Sequence, residues 1–238
     1  MGISSEEDFA ALILAGELRV TGRLVDASNA TLFGTLDTSD GEMAVVYKPV
    51  AGERPLWDFE TGTLAARERA AFLLSEFLGL HLVPATVLRD GPFGFGAVQR
   101  WIDVNEEIDL IDFGQSDSGR LRQMALFDAI INNTDRKFGH ILVASDGAVF
   151  GCDHGVTFHS EDKLRTVLWQ FAGDLLDNDE RAALDRISDE REQVAALLSS
   201  LLSESEIGAL FERVERLHSQ SAYPLPNPEW PAVPWPPV

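Results

Sequence analysis

The hydrophobic pattern opens with a short amphipathic helix over residues 5–15, where Ser4 or Ser5 is the expected cap, acids fill the first turn, Phe9, Leu12 and Ile13 share one side and Gly16 ends the element. Residues 18–25, 31–36 and 43–48 then read as three strands of a meander, separated by turn-rich Asp26-Ala-Ser-Asn29 and Asp37-Thr-Ser-Asp40-Gly41. An irregular stretch at 50–62 precedes a strong helix at 63–78 closed by Gly79, and residues 83–88 and 96–102 supply two more strands. Past the acidic stretch 105–112 and a Gly/Ser-rich loop, the spacing of Leu, Ala, Val and Ile predicts helices at about 120–133, 163–172, 178–187, 190–202 and 204–218, with Ser203 capping the last. Between the first two of these, residues 141–144 and 148–151 flank Ser145-Asp146-Gly147 as a short hairpin.

These elements predict an α+β chain of two lobes. A small β-rich lobe with one main helix spans 1–102, a larger helical lobe spans 103–222, and a Pro/Trp-rich extended tail spans 223–238, with Trp230 and Trp235 expected to dock on their own lobe. A chain of 238 residues is long enough for this arrangement. Its formal charge of −20, from 19 Lys and Arg against 39 Asp and Glu, repels nucleic acid and anionic lipid surfaces. A small molecule, or a neutral or basic protein, is the favoured partner. The single cysteine, Cys152, excludes an internal disulfide, and the N-terminus lacks the basic and apolar regions of a secretion signal, so a cytoplasmic location is expected. No apolar run approaches the roughly 20 residues that span a bilayer.

Chemistry concentrates between Phe127 and Phe158. Asp135, His140 and Asp153 are ordered as in a phosphoryl-transfer loop: a carboxylate for the attacking hydroxyl, a metal-ligand position five residues on, and a second metal-binding Asp beyond a hairpin. Folding that hairpin returns Asp153 to the side of His140, so a divalent cation can sit between them, with Gly155 turning the chain away. Lys137 is placed to neutralise the transferred phosphoryl group. His140 suits Mn²⁺ better than Mg²⁺, since imidazole is a poor ligand for the harder ion, and a structural role for this histidine is the competing reading. His154 and His159 read as structural or substrate-facing. Lys48 ends the third strand as a phosphate-holding lysine, and Glu68 in the 63–78 helix is its expected partner, with Glu76 the competitor. Ser28 and Asn29 at the first hairpin are candidate phosphate donors, and Gln99 and Trp101, passing between the lobes, are candidates to meet a nucleotide base.

Taken together, Ser28-Asn-Ala-Thr, Tyr47-Lys48-Pro49, Arg67-Glu68, Val98-Gln-Arg-Trp-Ile-Asp103, Asn132-Asn-Thr-Asp135-Arg-Lys-Phe-Gly-His140, Asp153-His-Gly155 and Lys163-Leu-Arg-Thr-Val-Leu-Trp169 resemble the phosphatidylinositol 3-/4-kinase-related branch of the protein-kinase-like superfamily, most closely an actinobacterial group. The resemblance runs over about residues 18–171. It implies a two-lobed kinase-like fold with ATP and Mg or Mn in the cleft, and family roles for Lys48, Glu68, Asp135, His140 and Asp153. Two departures stand out. Lipid kinases carry His and Asn where this chain has Lys137 and His140, and they follow the metal-binding Asp with basic residues, where this chain offers Lys163 and Arg165 among Glu161 and Asp162. An ATP-dependent phosphotransferase acting on a protein or small-molecule hydroxyl is therefore expected in preference to a phosphoinositide kinase. A nucleotide-binding pseudokinase serving as a regulatory module is the alternative, and nucleotidyl transfer a weaker third.

Overall fold

In the computed structural model, which describes residues 5–24, 30–38 and 41–238, the chain begins with helix α1 (Glu6–Ala15). Ser5 starts it with a reciprocal capping box, its hydroxyl accepting from the Asp8 N–H at 3.1 Å while the Asp8 carboxylate accepts from the Ser5 N–H at 3.3 Å. Gly16 ends it. The Glu6 carboxylate accepts from the Arg100 guanidinium and from the Ala85 N–H, which pins α1 to the sheet that follows.

That sheet contains β1 (Glu17–Arg23), β2 (Leu32–Thr38), β3 (Gly41–Pro49), β4 (Thr86–Gly91) and β5 (Gly94–Arg100) in the order β1-β2-β3-β5-β4, every neighbour antiparallel. Alternation along β3 buries Val45 and Tyr47 and sends Lys48 to the opposite face. On Lys48's face, Val46 lies between Phe33 and Gln99. Helix α2 (Leu64–Phe77) packs on β4 and β5 on one side and on a helix of the second lobe on the other. Its Ala-rich sequence lacks a single apolar stripe because it is buried on nearly every side.

The second lobe is built from α3 (Leu110–Gly114), α4 (Gly119–Ile131), the hairpin β6 (Ile141–Val143) and β7 (Val149–Gly151), and α5 (Asn178–Asp189), α6 (Arg191–Leu198) and α7 (Glu204–Gln220). Asp177 and Ser203 open α5 and α7 with capping boxes. One hydrophobic cluster runs through both lobes, from Ile13 and Leu36 through Leu74, Leu121 and Ile130 to Leu184 and Leu210. The molecule is an α+β protein with the two-lobed architecture expected.

Three local expectations change. Helix α3, capped by Asp109, forms within what reads as an acidic lead-in. The predicted helix at 163–172 is extended apart from one 3-10 turn at Trp169–Phe171, because its backbone is engaged elsewhere: Arg165 N–H donates to Asn133, Val167 N–H to Arg136 and Thr166 N–H to Ala232. Such pairing leaves no i to i−4 ladder to close. The tail beyond α7 forms no helix or strand, and it turns at Pro228–Glu229; Trp230 is half-buried, whereas Trp235 is 89% exposed. Among the described residues no helix is long and apolar enough to cross a membrane.

Candidate active site

Helix α4 ends at Asn132, whose left-handed backbone (φ 52°) turns the chain into the 133–140 loop. The Asn132 amide donates to the carbonyls of His159 (2.9 Å) and Glu161 (2.6 Å) and accepts from the Lys163 N–H (2.9 Å), which ties the loop to the segment after Asp153. Beneath it lies a fully buried ion pair. Arg136 meets the Asp128 carboxylate with Nε and Nη2, both at 2.9 Å, and donates onward to the carbonyls of Cys152 (3.0 Å) and His140 (3.2 Å) and to His154 Nε2 (2.8 Å). One guanidinium thus fixes the loop and both ends of the β6–β7 hairpin, and its fork geometry is what makes five contacts possible. Burial opposes the charge on Arg136, but Asp128 outweighs it and raises the pKa.

On this base the hairpin delivers Asp153 beside His140, as the spacing predicts, with Asp153 Oδ2 3.4 Å from His140 Nε2. Gly155 lies in the turn that follows, at Gly155–Val156, but without a left-handed backbone. The left-handed backbone falls at Asp153 (φ 60°) and Phe158 (φ 63°), and a Cβ at Gly155 would stand 3.3 Å from Leu64 Cβ of α2, a tight approach. Lys48 reaches across from the sheet, pairing with Glu68 Oε1 and, at 3.1 Å, with Asp153 Oδ1. The other Glu68 oxygen accepts from the His154 N–H at 3.0 Å, so Glu68 is the partner and the competitor Glu76 instead meets His81. Burial works against the charge on Lys48, yet Asp153 and Glu68 together hold its pKa above that of an ordinary lysine. Lys48, against the opposing effect of burial, holds the Asp153 carboxyl well below the usual carboxylate range.

His140 is the departure from the kinase pattern. Burial pulls its pKa down to about 4, so its ring is neutral near pH 7 and carries a lone pair. Its Nδ1, like that of His154, is buried with no hydrogen-bond partner among the described residues. An imidazole nitrogen and a carboxylate oxygen that converge in this way fit two ligands of a divalent ion. Among the described residues no cluster of three or more His, Cys, Asp or Glu is placed to hold a metal, so the remaining coordination would fall to phosphate and water oxygens, the usual condition of a nucleotide-bound ion. His154 is wholly buried and structural, and burial drives its pKa well below the ordinary histidine value.

Asp135 lies in the same cavity as Lys48 and Asp153. Its N–H donates to Asn133 Oδ1 (3.0 Å), and its carboxylate has Lys137 Nζ at 3.7 Å and Arg165 Nη2 at 3.6 Å. Burial raises its pKa, with the two cations opposing. Gln99 and Trp101 lie outside this cavity: the buried Gln99 amide donates to Thr86 Oγ1 (2.7 Å), and Trp101 meets Phe33 edge-on at 5.0 Å and donates to Asp103 (3.1 Å). They share Lys48's side of the sheet through the Phe33–Val46–Gln99 row. Ser28 and Asn29 lie outside the described residues.

Sequence reasoning misses several residues that shape the site. Glu53 caps α2 from the irregular stretch, accepting from the N–H groups of Gly62 (2.9 Å) and Ala65 (3.1 Å). Arg67 ties α2 to the second lobe, donating to the Thr157 carbonyl (2.8 Å) and to Glu206 of α7 (2.5 Å). Arg165, Trp57 and Trp230 line the same cavity as Asp135. Glu53 caps from eleven residues upstream of the helix, past Asp58 and Glu60, and the others likewise depend on contacts distant in sequence.

No family model matches the chain. It is 40% identical to Protein Rv2133c of Mycobacterium tuberculosis over an alignment of 272 positions that covers 99% of this chain and 98% of that protein. Among solved structures it is similar to the Helicobacter pylori proinflammatory kinase CtkA, with a TM-score of 0.51 at 12% identity over 87% of this chain and 96% of the other, a likeness of fold.

Proposed function

From a chain that belongs to the same family as the mycobacterial protein Rv2133c and has a kinase-like fold, we propose an ATP- and metal-dependent phosphotransferase of the phosphatidylinositol 3-/4-kinase-related type, its acceptor a protein or small-molecule hydroxyl and not a phosphoinositide. The observation that carries this reading is Lys48, held between Glu68 and Asp153 in one cavity with Asp135. An ammonium fixed by two carboxylates is pre-organised to bind phosphate oxygens without rearranging.

ATP would supply the phosphoryl group, and the divalent ion would neutralise charge as it transfers. Lys48 binds the donor's phosphates while Glu68 keeps the ammonium in place. His140 and Asp153 are the protein ligands assigned to the ion. Asp135, made more basic by burial, orients the acceptor hydroxyl and takes its proton. Lys137, with Arg165 beside it, faces the charge that develops at the transferred group. Gln99, on the strand beside that of Lys48, Trp101 just after it, and Ser28 and Asn29, outside the described residues, stay assigned to the nucleotide, with Gln99 and Trp101 set apart from the cavity lining.

A second reading, a nucleotide-binding pseudokinase, is favoured by one observation, the neutral buried histidine at a ligand position. Calorimetric titration of ATP with Mg²⁺ and then Mn²⁺, followed by turnover measurements, separates the two. Metal-dependent binding and turnover lost in Asp153→Asn support the enzyme, binding without turnover supports the pseudokinase, and folded protein that binds ATP with neither metal removes both.

A further inference from the structure

The cavity around Asp135 differs from an open protein-substrate groove in two independent ways. First, its lining is partly aromatic. Its volume is about 320 Å³, and Trp57 from the irregular stretch after β3 and Trp230 from the tail are among the residues that line it. Both indoles face the ammonium of Lys163, at 4.5 Å and 5.4 Å from the ring centres. Lys163 is itself buried and neutralised by Asp58 and Glu161, each at 3.2 Å, so it serves as a joint between the three segments and brings no unbalanced positive charge to the cavity. Trp57 is nevertheless 82% exposed. An indole held at the mouth of a cavity with its surface in water is a stacking platform for a ligand face.

Second, the chain's own tail is hydrogen-bonded to the loop that carries Lys137 and to the segment after Arg165. The tail's Ala232 carbonyl accepts from the Thr166 N–H (3.0 Å) and from Trp169 Nε1 (2.8 Å), and its Pro237 carbonyl accepts from the Phe138 N–H (2.8 Å), directly beside Lys137. Residues 224–238 contain no Ser, Thr or Tyr, so the segment that lies there offers no hydroxyl to phosphorylate.

We propose that the acceptor is a small hydroxylated ring compound, bound between Asp135 and the indoles of Trp57 and Trp230, and that the C-terminal segment excludes protein acceptors by occupying their place. This rests on the phosphotransferase reading and narrows its substrate class. A saturated ring with an apolar face and hydroxyl edge matches an aromatic wall opposite a carboxylate. In the transfer, the ring oxygen forms a bond to the terminal phosphorus of ATP, the bond from that phosphorus to the bridging oxygen of ADP breaks, and the hydroxyl proton passes to Asp135.

The test supplies the full chain with γ-labelled ATP, Mg²⁺ or Mn²⁺, and either the dialysable small-molecule fraction or the protein fraction of a bacterial extract, with ATP binding measured on the same samples. Label is expected in the small-molecule fraction. In Trp57→Ala and Trp230→Ala, each checked for folding by its melting curve, the acceptor KM is expected to rise by about tenfold while ATP affinity is kept. Label in the protein fraction, or an unaltered acceptor KM in both variants, overturns the proposal. A chain that does not bind ATP, or that binds it and transfers label to neither fraction, overturns the phosphotransferase reading on which this one stands.

Discussion

On the Lys48 side of the cleft, Lys48, Glu68 and Asp153 satisfy one another at close range, and Glu68 is almost wholly buried; on the Asp135 side the cations stand more than 3.5 Å from the carboxylate and Trp57 lies open to water. The first side is positioned on folding, its ammonium held by two carboxylates with one N–H donor left for a phosphate oxygen. The second holds its carboxylate with longer contacts, which leaves it more room to adjust to a bound molecule. Both sides must receive a ligand, and they differ in how tightly the protein fixes its own groups beforehand.

The largest expected effect comes from removing a member of the Lys48 side: Lys48→Ala or Asp153→Asn should lower ATP turnover by about 10³-fold or more, read by phosphate release. Turnover within tenfold of the unaltered chain would break the comparison. Asp128→Asn, beneath both sides, leaves the Arg136 charge buried without its counterion and should cost about 3–5 kcal/mol in urea unfolding. Trp57→Ala should change that stability by no more than about 0.5 kcal/mol, since its side chain is already exposed, and a larger loss would show that the acceptor wall is part of the scaffold.

Acid should act on the histidines. Folded His140 titrates at about 4 against an ordinary 6.5, so the unfolded chain binds protons first as pH falls. Stability is then full above about pH 6.5 and declines toward pH 4, with a slope of up to about 1.4 kcal/mol per pH unit for each such group. Buried His154 adds to the same sign, and His140→Asn should flatten the curve. Gly155→Ala should cost about 1 kcal/mol in the same unfolding measurement, from the 3.3 Å approach to Leu64.

Much of this architecture is legible in the chain because its elements are locally encoded. The strands flanking Asp37-Thr-Ser-Asp40-Gly41, the capping boxes at Ser5 and Ser203 and the hairpin that returns Asp153 to His140 all lie within short windows. Glu68 could be chosen over Glu76 from its helical face, and the contact with Lys48 follows that choice. The stretch 163–172 misleads because its apolar spacing serves contacts with the catalytic loop and tail, and a helical period says nothing of a backbone whose donors are already taken. Asp128 and Arg136 read as ordinary charges in so acidic a chain. Only the turn at Asn132 makes them a buried pair. Trp57 and Trp230 come together through Lys163, across nearly the whole chain, and no local pattern announces such a meeting.

Arg67 has a consequence for how the protein is made. It sits one residue before Glu68 and is buried against Thr157 and Glu206, so the position of the helix that carries Glu68 depends on a carboxylate near the end of the chain. During synthesis the N-terminal sheet and α2 leave the ribosome long before α7, at about 5–20 residues per second. Until Glu206 emerges, Arg67 lacks its carboxylate partner and α2 lacks one of the contacts that fix it. The nascent polypeptide therefore carries Lys48 and Glu68 early but completes their support only once α7 has been made.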